Sequence, residues 1–369
     1  MRVKLKEICI PKQWKTISTN ELGDSGYPVY GANGIIGYYN EYNHEVDTLL
    51  VTCRGATCGS LNISKGKAYV NGNAMALDDL RNDIDIKYLY YYLKCRGFKD
   101  VISGSAQPQI IRSAIEEIEV EIKDKEEQES IVSKCERIER LVDKIKKLQN
   151  YLDTLIKARF VEMFGDVSKN SKDWISDKMG NYMTLLTDFS SNGSYKLLDS
   201  NVIMKDEPNY AWMVRTTDLE ENEFEKIKYV DEQTYNFLGK SKLYGDEIIM
   251  CKIGSAGRIF LMPKVNKPAT LGRNAFMFRY DDRINRVYLY YYLTTEHGKQ
   301  EIMSKVRGAV TKTITKDDAR CVKILVPPKN LQDEFETFVE KIEKAQKDVK
   351  LLLDKINLLF DGFMQKYFT

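Results

Sequence analysis

The pattern of hydrophobic and polar positions predicts short strands interrupted by two long helical segments. Residues 48–53 and 246–251 are short apolar segments with glycine nearby, which is typical of buried strands. Residues 118–122 alternate between apolar and acidic side chains with period two, and residues 322–326 form a similar segment 204 positions later. We therefore expect each of these two segments to be a strand that closes a globular domain.

Two long segments carry apolar residues at heptad spacing, which predicts the seam of a coiled coil. The predicted seam positions are Ile138, Leu141, Ile145, Leu148, Leu152 and Leu155 in the first segment and Ile342, Ala345, Val349, Leu352, Ile356 and Leu359 in the second. Each helix of about 41 residues would be roughly 60 Å long at 1.5 Å per residue. Because the seams have equal length and register, we expect them to pair antiparallel within one chain. Homodimerisation through the same seams is the alternative.

An internal repeat organises the chain, and repeats of this kind determine architecture. The string Leu-Tyr-Tyr-Tyr-Leu occurs at residues 89–93 and again at 289–293. The other matched segments are 53–59 with 251–257, 73–75 with 274–276, and 104–110 with 308–314. These segments occur in the same order in both halves, so the chain contains two similar domains. The tyrosine-rich strings lie in apolar runs that predict buried helices.

The predicted order is domain, helix, domain, helix, with boundaries at residues 1–123, 124–164, 165–327 and 328–369. We expect an α+β fold in which two similar globular domains are joined by two long antiparallel coiled-coil helices with internal pseudo-twofold symmetry. The halves differ most over residues 184–244, for which the first half has no clear counterpart. Two related domains on a rigid spacer are suited to two separated segments of one DNA duplex.

Composition narrows the function classes. Seven cysteines without paired spacings favour a reducing, cytoplasmic environment, and no apolar run approaches the roughly 18 residues of a membrane helix. The net charge is only +2, but residues 240–279 hold eight basic and two acidic side chains, whereas residues 199–232 hold ten acids and four bases. Basic stretches of this kind are what phosphate contacts require, although a solvated basic face has the same composition.

The sequence contains no recognisable catalytic motif. Gly239, Lys240 and Ser241 end like a phosphate-binding loop, but Thr234 stands where that loop needs its first glycine. The chain lacks the spacing of a zinc site and has only two histidines, His44 and His297, for general-base chemistry. We therefore expect no enzyme activity, no metal and no cofactor in this chain. A small-ligand enzyme and a protein-binding coiled-coil scaffold without DNA affinity remain the alternative classes.

The chain resembles the specificity subunit of type I restriction–modification systems. The resemblance rests on the order of domains and helices, on the strings at residues 30–39 and 104–110, and on Gln128 and Gln332 just inside the two helices. It implies two target-recognition domains, each recognising part of a bipartite double-stranded DNA sequence. It also implies helices that recruit methyltransferase subunits, expected to be two, through surfaces that include both glutamines. A nuclease–motor subunit is a further possible partner, and S-adenosylmethionine, ATP and Mg are expected only in the partners.

Candidate DNA-binding residues lie mainly in the repeated loops. Arg54 and Lys252 stand at matched positions between a strand and a glycine-containing loop, and hydroxyl, amide and basic side chains follow in the second pair of segments. The full set of candidates is Tyr30, Asn33, Arg54, Gln107, Gln109, Arg112, Arg215, Lys252, Arg258, Arg273, Thr311, Lys312, Thr313 and Lys316. The tyrosines of the two repeated strings are interpreted as core residues, with base stacking as the alternative.

Overall fold

A computed structural model describes residues 1–32, 34–104, 107–221 and 226–368. The chain forms two compact units. Unit 1 combines residues Met1–Gln149 with Asp348–Thr369, and unit 2 is Asn150–Lys347. Each unit therefore contains one globular domain and a portion of each long helix. Within the described residues, no helix is both long and apolar enough to cross a membrane.

Unit 1 is built on small, mostly antiparallel sheets. Its elements are β1 (Arg2–Lys4), β2 (Ile10–Gln13), β3 (Tyr27–Gly31), β4 (Gly34–Tyr39), β5 (Thr48–Thr52), β6 (Leu61–Ser64), β7 (Tyr69–Val70), β8 (Ala74–Asp78), α1 (Ile86–Arg96), β9 (Ile102–Ser103), β10 (Gln109–Ile110), α2 (Arg112–Glu116), β11 (Glu119–Glu121) and the long helix α3 (Lys125–Phe164). The central sheet has the order β2-β8-β5-β6, and a second sheet has the order β4-β3-β7. Strand β11 closes the domain by pairing with β1.

Unit 2 repeats this plan with additional helices. Its elements are β12 (Ile175–Lys178), β13 (Met183–Asp188), α4 (Tyr195–Asn201), β14 (Ala211–Val214), α5 (Thr216–Glu221), β15 (Lys228–Val230), α6 (Glu232–Phe237), β16 (Lys242–Leu243), β17 (Ile248–Cys251), β18 (Ile259–Leu261), β19 (Ala269–Leu271), β20 (Ala275–Tyr280), α7 (Arg286–Thr294), α8 (Glu296–Met303), α9 (Lys316–Arg320), β21 (Lys323–Val326) and the long helix α10 (Lys329–Phe368). The central sheet has the order β13-β20-β17-β18, and β12 pairs with β21.

The repeat extends further than the sequence indicated. Strand β14 pairs parallel with β19 and antiparallel with β15, just as β3 pairs parallel with β7 and antiparallel with β4. The prediction that residues 184–244 lack a counterpart is therefore wrong for the strands of this stretch. The extra length lies in α4, α5 and α6, which are inserted around a strand frame that both units share.

The tyrosine-rich helices α1 and α7 are core elements, as the apolar pattern predicted. Tyr88 and Tyr288 are completely buried, and each phenolic hydroxyl donates a hydrogen bond to the backbone of the closing strand. Tyr88 reaches the Glu121 carbonyl at 2.8 Å, and Tyr288 reaches the Leu325 carbonyl at 2.9 Å. Because a buried hydroxyl needs a partner, these bonds satisfy the tyrosines and fix the strand that precedes each long helix.

The two long helices pack antiparallel in each unit. In unit 1 the Cys135 Sγ lies 3.8 Å from the Met364 Sδ, which places an early position of α3 beside a late position of α10. In unit 2 the rings of Phe160 and Phe335 lie 5.4 Å apart, so a late position of α3 lies beside an early position of α10. The predicted antiparallel coiled coil is confirmed.

Five of the twelve predicted seam positions are wrong, however. Leu141, Leu148 and Leu155 are 45%, 44% and 46% exposed, whereas Ile145 and Ile156 are buried. The seam of α3 therefore includes positions 142, 149 and 156, and Leu141, Leu148 and Leu155 face solvent. On α10, Leu352 and Leu359 are exposed in the same way. Ile138, Ile145 and Leu152 belong to two possible seams, one completed by positions 141, 148 and 155 and the other by positions 142, 149 and 156. Heptad periodicity fits both, so it does not determine which of them packs against α10.

Candidate DNA interface

The structure brings the two repeated loop segments of each half into contact. In unit 1 the Gly55 amide donates to the Pro108 carbonyl at 3.1 Å, and the Ile110 amide donates to the Cys53 carbonyl at 3.0 Å. In unit 2 the Gly254 amide donates to the Lys312 carbonyl at 3.1 Å, and the Ile314 amide donates to the Lys252 carbonyl at 3.0 Å. We call residues 53–59 with 107–112, and residues 252–258 with 307–316, the loop pairs of units 1 and 2. The same backbone pattern in both units defines one kind of surface.

The loop pairs also correct the alignment of the two halves by one residue. Arg54 forms a bridge with Gln109, and the corresponding bridge in unit 2 joins Ile253 to Thr313. The structural counterpart of Arg54 is therefore Ile253, and that of Lys252 is Cys53. Since successive residues of an extended chain face opposite sides, the prediction that Arg54 and Lys252 occupy matched positions is wrong.

Lys252 points inward, into an ion-pair cluster. Its ammonium lies 2.8 Å from Asp188 Oδ2, and the ammonium of Lys316 lies 2.9 Å from Asp188 Oδ1. The Lys316 ammonium also donates to Ser191 Oγ at 2.8 Å. Burial raises the pKa of Asp188, but hydrogen bonds from Lys252, Ser191 and Lys316 outweigh it and lower the pKa to about 2. Lys252 and Lys316 thus connect strand β13 to the loop pair, and neither ammonium is a free phosphate ligand.

In unit 1 an uncharged pair takes the place of this cluster. Gln13 occupies the end of β2 as Asp188 occupies the end of β13, and its amide nitrogen lies 2.8 Å from Cys53 Sγ. The same nitrogen donates to the Gly72 carbonyl at 3.1 Å. Sequence reasoning missed both Asp188 and Gln13, because neither residue lies in a repeated string and only the strand register brings them beneath the loops.

The exposed polar groups of the loop pairs fit the predicted contact role better. Arg54, Gln107 and Gln109 are exposed in unit 1, as are Thr311 and Lys312 in unit 2, with Thr313 half-buried beside them. Within the described residues, neither Arg54 nor Lys312 has an acidic side chain within ion-pair distance. Arg112 is exposed but paired with Glu116 at 2.6 Å. Among the predicted DNA-contact residues at described positions, Arg54 and Lys312 are therefore the cations that a phosphate could reach without breaking an ion pair.

The predicted arginines of unit 2 are paired with acids from the acidic stretch. Arg215 contacts Asp218 at 2.5 Å, Arg258 contacts Glu220 at 2.5 Å, and Arg273 contacts Asp199 at 2.7 Å. The acidic residues of positions 199–232 thus neutralise arginines that lie outside this segment as well as within it. A DNA phosphate would have to compete with these carboxylates.

The glycine-rich string near the N-terminus contributes no exposed candidate among the described residues. Tyr30 is buried beside Leu50 and Val70, and its hydroxyl accepts a hydrogen bond from the Lys65 amide at 3.3 Å. The prediction of a DNA contact by Tyr30 is therefore corrected to a role in the core. Asn33, the other candidate in this string, lies outside the described residues.

Gln128 and Gln332 are structural anchors instead of partner-binding residues. Both are 0% exposed. The Gln128 side chain accepts from the Asp85 amide and donates to the carbonyls of Asp83 and Lys123. Gln332 makes the same three bonds, to the Asn285 amide and to the carbonyls of Arg283 and Pro327. Each glutamine ties the first turn of a long helix to the loop before a tyrosine-rich helix, which leaves no polar atom for another protein.

Potential metal ligands do not converge in the part of the chain that the structure describes: it holds no group of three or more His, Cys, Asp or Glu side chains suited to a metal ion. The seven cysteines, all at described positions, are unpaired. The exposed Arg54 and Lys312 of the loop pairs are suited to an anionic ligand.

Comparison with known proteins agrees with this architecture. Residues 1–154 and 178–355 match the family described as "Type I restriction modification DNA specificity domain". The type I restriction enzyme EcoprrI specificity subunit of Escherichia coli is 28% identical over 148 residues, which are 40% of this chain and 37% of that protein, so the match spans little more than a third of the relative. The MjaIX specificity subunit of Methanocaldococcus jannaschii is 23% identical over 336 residues, 83% of this chain and 74% of that protein.

Solved structures show the same fold. The S subunit of a type I restriction–modification system from M. genitalium superposes with a TM-score of 0.61 at 16% identity, covering 100% of this chain and 96% of that one. A chain from a structure of the type I R-M system that concerns complex assembly superposes with a TM-score of 0.56 at 16% identity, covering 100% and 97%. The protein is thus an α+β protein with two DNA specificity domains. It belongs to the family of type I restriction–modification specificity subunits.

Proposed function

We propose that this chain recognises a bipartite double-stranded DNA target, one part with each unit, and recruits methyltransferase subunits to it. The chain itself is proposed to be non-catalytic, so that S-adenosylmethionine, ATP and Mg are used only by partner subunits. The observation that carries the proposal is the recurrence of the loop pair, with the same backbone hydrogen bonds, in two domains whose exposed side chains differ.

The differences between the loop pairs support recognition of two different half-sites. The exposed set is Arg54, Gln107 and Gln109 in unit 1, whereas unit 2 presents Ile253, Thr311 and Lys312. Gln side chains suit adenine edges and Arg or Lys suits guanine edges, whereas Thr hydroxyls contact either, so the two sets would favour different base edges. Unit 2 also carries the inserted helices α4–α6, which unit 1 lacks in its described residues, so the two units would meet different DNA sequences.

Exposed leucines support the recruitment of partner subunits. On α10, Leu351, Leu352, Leu358 and Leu359 are 48–73% exposed. Rows of leucine at heptad spacing on an already paired helix are the kind of surface that a further helix covers. The supported partner is therefore a helical segment of a modification subunit, with a nuclease–motor subunit as a second possible member of the complex.

Co-expression with a candidate methyltransferase subunit, followed by genome-wide mapping of adenine methylation, tests the proposal. We expect a bipartite methylated motif that is present only when this chain is present. Exchanging residues 165–327 for those of another family member should change one half of the motif and leave the other intact. A stable complex without any new motif would contradict DNA recognition and favour a protein-binding scaffold.

The two long helices are proposed to set the spacing between the half-sites. Each helix has 40 residues, so it is roughly 60 Å long at 1.5 Å per residue. Removing one heptad from each helix should change the number of base pairs between the half-sites while both half-sites are retained. An unchanged spacer length in the methylated motif would exclude the ruler function.

A further inference from the structure

A groove on unit 1 carries concentrated positive charge away from the loop pair. It has a volume of about 660 Å³ and runs along α3, with part of α10 on its other side. Its cationic lining residues are Lys134, Arg137, Arg140 and Lys144, and Leu141 and Phe363 contribute apolar surface between them. We call this feature the basic groove.

The two acids of α3 nearest the groove cations in sequence, Glu136 and Glu139, face the globular domain and not the basic groove. Glu136 is paired with Lys87, and Glu139 binds the Lys94 ammonium at 3.0 Å and the Tyr91 hydroxyl at 2.7 Å. Among the residues that the structure describes, none of the four groove cations has a carboxylate within ion-pair distance, and all four are exposed. In this part of α3 the groove cations and the two glutamates thus lie on different sides of the helix.

The apolar surface in the groove distinguishes between two kinds of anionic ligand. Leu141 is 45% exposed, and Leu148, seven residues later on the same side of α3, is 44% exposed. A DNA backbone would match the cations but would leave the leucines without a partner. A helix with leucines on one face and carboxylates beside them would cover the apolar row and neutralise the cations together.

We propose that the basic groove binds an acidic amphipathic helix of a partner protein. The inference rests on the proposed function, since the partner it specifies is the modification subunit. It adds the chemistry of the contact: leucine or isoleucine side chains against Leu141 and Phe363, and Asp or Glu side chains toward Arg137 and Lys144.

The corresponding positions of α10 do not repeat this chemistry. With the displacement of 204 that relates Gln128 to Gln332, Lys134 corresponds to Phe338, Leu141 to Ala345 and Lys144 to Asp348. An acidic helix would lose two cations and the larger apolar contact at that location. The chain therefore offers two unequal sites to identical partners, and the first modification subunit binds at α3 with higher affinity.

Titration of the full-length chain with its cognate methyltransferase subunit, by calorimetry and analytical ultracentrifugation, tests the proposal. Charge reversal in R137E/K144E should weaken the first binding step by roughly tenfold or more, and added salt should weaken the wild-type complex. Leu141→Ser should also weaken this step without changing the thermal stability of the free chain. The matched control is Lys146→Glu, an exposed lysine of the same helix outside the groove, which should leave the affinity within about twofold of wild type because rim charges contribute little.

Each other outcome is decisive. If R137E/K144E bound the methyltransferase subunit with wild-type affinity, the groove assignment would be wrong while the proposed function stands. The same holds if Lys146→Glu lost as much affinity for the subunit as R137E/K144E. If R137E/K144E weakened binding of target duplex but not of the subunit, the groove would be a DNA site and the proposal would be wrong. If the wild-type chain bound no methyltransferase subunit at all, the proposed function would fail together with this inference.

Discussion

The ammonium of Lys252 lies 2.8 Å from Oδ2 of Asp188, and the two side chains are only 16% and 7% exposed. Lys316, at the start of α9, binds the other carboxylate oxygen of Asp188. One carboxylate thus holds together the end of β13, the loop after β17 and the segment before β21. The cluster makes the unit 2 loop pair dependent on an ionised carboxylate beneath it.

The stability of unit 2 should therefore fall in acid. Because the pKa of Asp188 is lowered to about 2 in the folded state, against about 3.9 in an unfolded chain, its contribution is complete above pH about 4. The contribution is lost as the pH falls through about 2, and it amounts to roughly 2 kcal/mol. Asp188→Asn should remove this part of the pH dependence, as measured by urea denaturation at several pH values. Asp199→Asn, which breaks the exposed pair with Arg273, should change stability by less than about 1 kcal/mol; equal effects of the two variants would contradict the cluster.

Lys312 and Lys252 should respond differently when DNA binding is measured against salt. Lys312→Ala removes an exposed cation that pairs with no described carboxylate, and it should lower the salt slope of DNA binding by about 1. Lys252→Ala should instead destabilise unit 2, with little change of slope in the folded protein, because its ammonium is engaged by Asp188. Fluorescence anisotropy with the mapped target at several salt concentrations distinguishes the two. If only Lys252→Ala lowered the salt slope of DNA binding, Lys252 and not Lys312 would be the phosphate contact.

Gln332 should contribute to stability and not to partner recognition. Gln332→Leu leaves one buried amide, the buried Pro327 carbonyl and the partly buried Arg283 carbonyl without their partners, so we expect a loss on the order of 2–3 kcal/mol in the free energy of unfolding. The control on the same helix is Gln346→Ala, which removes an exposed bond to Asp153 and should cost less than about 1 kcal/mol. If Gln332→Leu bound the partner less tightly but kept the wild-type free energy of unfolding, the prediction that Gln332 contacts the partner would hold after all.

The register of the seam gives a paired prediction on α3. Ile145→Ala removes a buried side chain and should destabilise unit 1 by about 2–4 kcal/mol. Leu148→Ala, three residues further along, removes an exposed leucine and should change stability by less than about 0.5 kcal/mol. Chemical denaturation of both variants measures the difference. Comparable losses would mean that the leucine row is part of the seam.

Several of the predicted features depended on local patterns and were correct for that reason. Tyr88 and Tyr288 lie in apolar helical runs, and they are buried where the repeat placed them. The two loop segments of each half recur in the same order in the sequence, and the structure brings them into contact in both units. The direction of an individual side chain was harder to predict: a shift of one residue in the alignment exchanged Lys252 for Ile253 as the counterpart of Arg54.

The sequence by itself determined the duplication, the two long helices and the α+β class, because heptad spacing, repeated strings and short apolar segments are properties of consecutive residues. Only the tertiary structure decided which side of each helix is buried and which cations are free. It placed Gln128 and Gln332 in the interior, Asp188 beneath the unit 2 loop pair, and Glu136 and Glu139 of α3 toward the globular domain. These outcomes depend on residues far apart in the chain, and an ion pair or a buried amide is satisfied by whichever group the fold brings within reach.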